Sequence, residues 1–229
     1  MGRSISATTI LNNDYPRLEV SDHVKKLLGN VEVGFKMLIY GPSGSFKTTF
    51  AINELAIYLA KNHGKVYYNS IEEGDGASIQ DTLRYCETEE LEDGSLVFKD
   101  LPDGRFMFGD RDSLAEMMDK IERTKPKFIF IDSSDFLRLT SEQYKKLEKL
   151  CNKPRKSARR SLIIISWSKN GVPKSQYMKD VEYMVDIKTY IEDGIVNTRS
   201  RFGKTEPYHV LKRKFIAPKI DRQQSIFNN

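Results

Sequence analysis

The stretch FKMLIYGPSGSFKTTFAINELA, from Phe35 to Ala56, constrains the fold more than any other part of the chain. A short apolar run, Phe35 to Tyr40, ends at a glycine loop, and a second run of apolar and helix-forming residues starts at Lys47 and stops at Gly64. The first reads as a buried strand and the second as a buried helix closed by a glycine. A loop between two such elements presents successive backbone N–H groups, and the positive end of a helix dipole, to bound phosphate. Its spacing fits G-x-x-x-x-G-K-[ST] at Gly41, Lys47 and Thr48, with Phe46 standing where the pattern has its second glycine.

On this reading Lys47 reaches the β- and γ-phosphates of ATP and the Thr48 hydroxyl ligates Mg²⁺. The cradle is Gly41, Pro42, Ser43, Gly44, Ser45, Phe46, Lys47, Thr48 and Thr49. Gly41 and Gly44 permit turn conformations that a Cβ hinders, and the two serines add small polar contacts. A glycine before the lysine lets backbone and phosphate approach closely. Phe46 worsens that fit but leaves the N–H donors and the lysine in place, so binding is expected to survive and hydrolysis to be retained or damped.

The rest of the chain alternates strand and helix signals. KVYYN, from Lys65 to Asn69, has the β-branched and aromatic content of a strand. GASIQDTLRYC reads as a helix with Ile79, Leu83 and Cys86 on one side, and the acidic stretch after it as a loop or hairpin turning at Asp93-Gly94 and Asp103-Gly104. Ser113 and Glu116 form a capping box ahead of the helical stripe Leu114, Met117, Met118 and Ile121, which Pro126 ends. KFIFID, from Lys127 to Asp132, and SLIIISW, from Ser161 to Trp167, are further buried strands. Between them Thr140 and Gln143 start a helix with Tyr144, Leu147, Leu150 and Cys151 inward. EYMVDIKTYIEDGIVNTRSRF alternates as two strands joined at Asp193-Gly194. This order predicts an α/β fold, a mainly parallel sheet with helices on both faces and an antiparallel C-terminal hairpin. With 229 residues and 39% hydrophobic content, one core domain over 31–215 is expected, with an N-terminal extension over 1–30 and a C-terminal tail over 216–229.

Two carboxylate positions carry chemistry beside that loop. Asp132 ends an apolar strand, where it would hold Mg²⁺ through water, with Ser133 next to it. Glu72 and Glu73 follow the second strand, where either would orient and deprotonate a water for in-line attack on the γ-phosphate. A solvated acidic turn is the plain alternative, and the loop shifts the balance to catalysis. Cys86 and Cys151 lack a C-x-x-C partner, and His23, His63 and His209 lack metal-ligand spacing, so a disulfide framework and a zinc site are not expected. No apolar run approaches the ~20 residues that cross a bilayer. The opening also lacks the apolar centre of a secretory signal, which favours the cytoplasm, and the weak N-myristoylation match at Gly2 and Ser6 is set aside. The net charge of +5 is uneven: CETEELEDGSLVFKDLPDG is acidic, NKPRKSARRS and TRSRFGKTEPYHVLKRK are basic, and one face is expected to suit a polyanion.

Taken in order, GPSGSFKTT, the glutamates after the second strand, FIFIDS and the late RSRFGKTE resemble the RecA-type branch of P-loop ATPases, especially the group containing bacterial RadA, DnaB helicases and KaiC. RSRFGKTE resembles the K-N-R-F-G-x-T-x-E motif of RadA and the K-x-R element of DnaB, which one subunit inserts into the next subunit's ATP site. The resemblance gives Arg199 the lysine position and Arg201 the role of arginine finger, where a guanidinium suits transition-state phosphate charge. It gives Ser166 and Ser168 the place of a polar γ-phosphate sensor. KNGVPKSQYMKD takes the place of a DNA-binding loop, with Lys169 and Lys174 as phosphate contacts and Trp167 as a base-stacking or core aromatic. Small stand-alone RecA-core proteins of phages and mobile elements of Bacteroidetes-type bacteria share this layout, from about Val33 to Glu206. The accessory domains of full-length RadA and DnaB are lacking, so helicase or protease-like activity is not carried over.

The resemblance implies an ATPase that binds ATP and Mg²⁺ between subunits of a ring or filament. It would act on DNA, single-stranded for preference, in recombination, repair or replication, in a bacterial host cytoplasm and with a replication or recombination protein as partner. Two other readings stay open: a single-strand DNA binding or annealing module that uses ATP only to assemble, and a P-loop kinase of a small acceptor.

Overall fold

We describe a computed structural model of the chain, covering residues 4–86, 88–92, 95–152 and 158–216. Gly2, the Asp93-Gly94 turn, most of the basic run after Asn152 and the tail from 217 onward lie outside the described residues.

Short helices α1 (Ala7–Leu11) and α2 (Asp22–Leu28) precede β1 (Lys36–Gly41). The predicted long helix follows in three pieces, α3 (Lys47–Phe50), a π-helical stretch (Ala51–Ala56) and α4 (Ile57–Asn62). Next come β2 (Val66–Ser70), α5 (Ala77–Arg84), the small hairpin β3 (Thr88–Glu90) and β4 (Leu96–Phe98), β5 (Phe106–Asp110), α6 (Leu114–Thr124), β6 (Phe128–Asp132), α7 (Ser134–Leu137) and α8 (Ser141–Cys151). The chain continues through β7 (Ser161–Lys169), β8 (Val172–Pro173), α9 (Gln176–Met184), β9 (Ile187–Glu192), β10 (Ile195–Ser200), β11 (Tyr208–His209) and β12 (Lys214–Phe215). Among the described residues no helix is long and apolar enough to cross a membrane.

One sheet in the order β12-β11-β10-β9-β1-β7-β6-β2-β5 organises these elements, with β8 paired to the end of β7. The strands from β9 across to β5 are parallel, while β10, β11 and β12 are antiparallel, as the sequence predicts. Parallel strands roofed on both faces need continuous apolar runs. β6 is buried at every position, and β7 through Ser166. On one face Met37, Ile39, Phe130 and Ile163 pack against Phe50, Ile52, Leu55 and Leu59 of the long helix and against Leu27 and Leu28 of α2. On the other, Leu38, Ile129 and Ile164 meet Met117 and Ile121 of α6, Tyr144 and Leu147 of α8, and Met178 and Val181 of α9. Both capping boxes form, Ser113 with Glu116 and Thr140 with Gln143.

Three expectations change. Just past the acidic stretch, which holds the expected hairpin, an unanticipated parallel strand, β5, extends the sheet beyond β2. Three of its five residues are apolar, and Phe106 and Phe108 pack against the core. The segment expected as a loop after β7 is instead the tight β7–β8 hairpin followed by α9, because Asn170 (φ 55°) and Gly171 (φ 75°) turn the chain straight back. The helix expected to run through Cys86 ends at Arg84, and the Cys86 thiol lies 3.0 Å from the Asn53 side-chain oxygen.

Candidate functional site

The parallel strands end on one edge of the sheet, the place where open α/β sheets bind ligands. Gly41 at the end of β1 pairs with Trp167 of β7, and Ser70 at the end of β2 pairs with Asp132 of β6. Register alone therefore brings the loop 41–48, Glu72 and Glu73, Asp132 and Trp167 to one cleft of about 270 Å³.

Within the loop, Gly41 is required by close approach: a Cβ there would lie 2.0 Å from the Ile191 carbonyl oxygen. Phe46 occupies the left-handed region at φ 68° and ψ 30°, which explains why the pattern places a glycine here. The residue is 38% exposed, and its ring lies beside Gly194 in the β9–β10 turn. Phe46 thus keeps the left-handed backbone of the loop, and its ring lies between the cleft and the β9–β10 turn.

Lys47 begins α3 and is nearly buried, with Nζ donating to the Pro42 carbonyl at 2.6 Å. Burial pushes its pKa down, and the carboxylates of Asp132 and Glu72 oppose that shift. Thr48 Oγ1 donates to Asp132 Oδ2 at 2.7 Å, and the Tyr68 hydroxyl donates to the same oxygen at 2.5 Å. Burial raises the Asp132 pKa, with those two donors working against it. Thr48 and Asp132 are hard oxygen ligands side by side, the donor type that Mg²⁺ takes. Two buried oxygens near them, Ser45 Oγ and Glu73 Oε2, have no hydrogen-bond partner among the described residues. No cluster of three or more His, Cys, Asp or Glu among the described residues could hold a metal. A cation here would complete its shell with phosphate and water, as Mg²⁺ commonly does. The residues present fit that group.

Glu72 lies on the rim, where its carboxylate accepts from Trp167 Nε1 at 3.1 Å. Partial burial raises its pKa and the Trp167 donor lowers it. Trp167 is fixed from three further directions: its backbone N–H donates to Asp135 at 2.8 Å, Phe136 meets its ring edge-on, and Lys174 Nζ sits 4.8 Å above the ring. Ser166 is fully buried, with its hydroxyl 3.3 Å from the Trp167 carbonyl. Ser168 Oγ is buried without a partner among the described residues, and Lys169 is exposed at the end of β7.

Arg199 and Arg201 are not in this cleft. Arg199 pairs with Lys188 near the start of β9, and Arg201 follows β10 with its guanidinium 3.6 Å from Asp186. Asp186 also accepts from the backbone N–H of Lys36, the first residue of β1. The loop lies at the far end of that strand, roughly 16 Å away at the usual rise per residue. Within one chain the two cannot meet.

Sequence reasoning misses two supports of the cleft. Tyr68 holds Asp132 from β2, and Arg111, at the end of β5, donates to the Glu73 carbonyl at 2.9 Å. Tyr68 is one of two adjacent tyrosines in a buried strand, and nothing local marks which one reaches a carboxylate. Arg111 depends on β5, a strand that the sequence pattern does not mark.

No protein-family model and no curated protein matches the chain. Solved structures do match. A type III secretion system ATPase of pathogenic bacteria is similar at 13% identity and TM-score 0.50, over 82% of this chain and 64% of the other. A KaiC-like protein of Pyrococcus horikoshii is similar at 17% identity and TM-score 0.56, over 89% and 99%. The flagellar accessory protein FlaH of Methanocaldococcus jannaschii is similar at 13% identity and TM-score 0.57, over 86% and 95%. The chain thus spans under two thirds of the secretion ATPase but nearly all of the other two. At these identities the likeness establishes the fold alone, a RecA-like α/β sheet.

Proposed function

We propose that the chain is an ATPase of the RecA type that binds Mg²⁺ and ATP at residues 41–49 and hydrolyses ATP between subunits of a ring or filament. It acts on DNA in recombination, repair or replication, with 31–215 as its working core. The observation that carries this reading is the convergence of Lys47, Thr48, Asp132 and Glu72 in one cleft. Lys47 would neutralise the β- and γ-phosphates, and Thr48 with Asp132 would hold Mg²⁺, which offsets charge on the phosphates during transfer. Glu72, or Glu73 beside it, would take the proton of the attacking water. Burial raises the Glu72 pKa towards the working range of a base. The separation of Arg201 from the cleft supports a role in a neighbour's site. ATP turnover measured across protein concentration, for the wild type and Arg201→Ala, tests the reading: specific activity should rise with concentration and fall ~10³-fold or more in the variant. Equal turnover in both would remove the trans role.

The left-handed Phe46 and the bond that ties Glu72 to Trp167 favour a second reading, a single-strand DNA binding module in which ATP fixes assembly without turnover. A strand-annealing assay with a non-hydrolysable ATP analogue in place of ATP separates the two. Unimpaired annealing supports the module, and annealing that needs ATP itself supports the ATPase.

A further inference from the structure

Trp167, the base-stacking candidate of the sequence, is occupied in the nucleotide cleft by Glu72, Phe136 and Lys174. Another aromatic surface is open. Strand register sets one face of β1, β9 and β10: Tyr40 lies beside Tyr190, which lies opposite Asn197, and two residues back Lys188 lies opposite Arg199. Over Leu38 this face is roofed by α9, whose Met178 and Val181 share the same core. Past that point the roof stops. The Tyr40 and Tyr190 rings, 5.3 Å apart and tilted at 52°, are only half-buried, while Asn197 and Arg199 are exposed. They line a groove of about 590 Å³ rimmed by Gly171 of the β7–β8 hairpin. Glu182, the acid in the groove lining, lies 3.4 Å from Lys188, and the Arg199 guanidinium has no carboxylate partner among the described residues. The groove is therefore aromatic, its lining holds one cation more than acid, and Glu192 meets Tyr190 at its edge.

We propose that this sheet face binds single-stranded DNA. Bases stack on Tyr40 and Tyr190, the Asn197 amide addresses base edges, and Arg199 holds a phosphate. Unpaired bases stack on aromatic rings while cations follow the backbone, whereas the bases of a duplex are already stacked on one another. The inference rests on the reading of the chain as an ATPase that acts on DNA, and it names the DNA site of that reading.

The test is fluorescence anisotropy of a labelled oligothymidylate with the full chain, without nucleotide, over a range of salt. Tyr190→Ala is expected to weaken binding about 10-fold and Tyr190→Phe to bind nearly as well as the wild type, because stacking needs the ring and not the hydroxyl. Arg199→Gln is expected to flatten the dependence of log affinity on log salt by about one phosphate contact. ATP turnover of Tyr190→Ala without DNA should equal that of the wild type. Wild-type affinity in Tyr190→Ala overturns the proposal. So does a loss of DNA binding that only accompanies a loss of self-association, since the face is then a contact between copies. A wild type that turns over ATP but does not bind the oligonucleotide defeats this inference and leaves the ATPase reading standing. Binding through Tyr190 without turnover keeps the inference and removes the ATPase reading.

Discussion

Position 46 shows that a loop pattern records backbone demand more than side-chain chemistry. Phe46 takes the left-handed conformation, which costs an L-residue roughly 1–2 kcal/mol. Phe46→Ala keeps that strain and loses only the ring, while Phe46→Gly loses both. The glycine variant should therefore be more stable than the alanine variant by about 1 kcal/mol in urea unfolding. Equal midpoints would mean the loop relaxes. Asp132 works against stability in the same site. Its folded pKa is raised by burial above the ordinary 3.8, so the folded chain binds a proton more tightly than the unfolded one. Stability is then fullest below 3.8 and falls as pH rises from there through the folded pKa, leaving the ionised carboxylate a burden at neutral pH. Asp132→Asn, which keeps an acceptor for Tyr68 and Thr48, should raise the melting temperature at pH 7 without Mg²⁺, and weaken Mg²⁺-dependent nucleotide binding about 10- to 100-fold. A lowered melting temperature would refute the sign. That Lys47, Thr48 and Asp132 meet in one cleft was legible in the sequence, because the first two open the helix after β1 and the third ends a buried strand. Tyr68 and Arg111 were not, because their roles exist only once distant strands lie side by side.

Elements were legible where one signal dominated. The Asp193-Gly194 turn (φ 49° and 73°) and the Asn170-Gly171 turn (φ 55° and 75°) use the same backbone. The first was recognised between two full alternating strands. The second was hidden because its returning strand has two residues and ends at Pro173. β5 escaped for a related reason, a short run between acidic and glycine-rich flanks whose strand character comes from pairing with β2. Gly171 and Gly41 separate two reasons for a glycine. A Cβ on Gly171 meets nothing within 4 Å, so Gly171→Ala should cost only the positive φ, about 1 kcal/mol, with faster hydrogen exchange confined to the β7–β8 hairpin. A Cβ on Gly41 collides with the Ile191 carbonyl, so Gly41→Ala should displace the loop and abolish nucleotide binding in calorimetry. Similar losses of stability in the two variants, without a difference in nucleotide binding, would contradict this division.

Across the whole molecule, the sheet sets the cleft and Arg201 at opposite ends of the same strands. If the two serve one reaction, mixing must repair what each lesion breaks. Lys47→Ala and Arg201→Ala should each be inactive alone, while an equimolar mixture recovers part of the turnover, because the first variant supplies Arg201 to intact cleft residues of the second. An inactive mixture that still co-assembles would place Arg201 outside the reaction. The order of elements made the fold legible at this scale, and strand periodicity could not reveal which end of the sheet each motif reaches. A subunit with a donor end and an acceptor end has polarity. Such units join head to tail, closing into rings when the rotation per step permits and otherwise growing as one-directional fibres whose last member always carries an incomplete pair. A copy damaged at both ends would then silence its neighbour's site as well as its own, so the population would respond to the dose of such copies more steeply than their fraction.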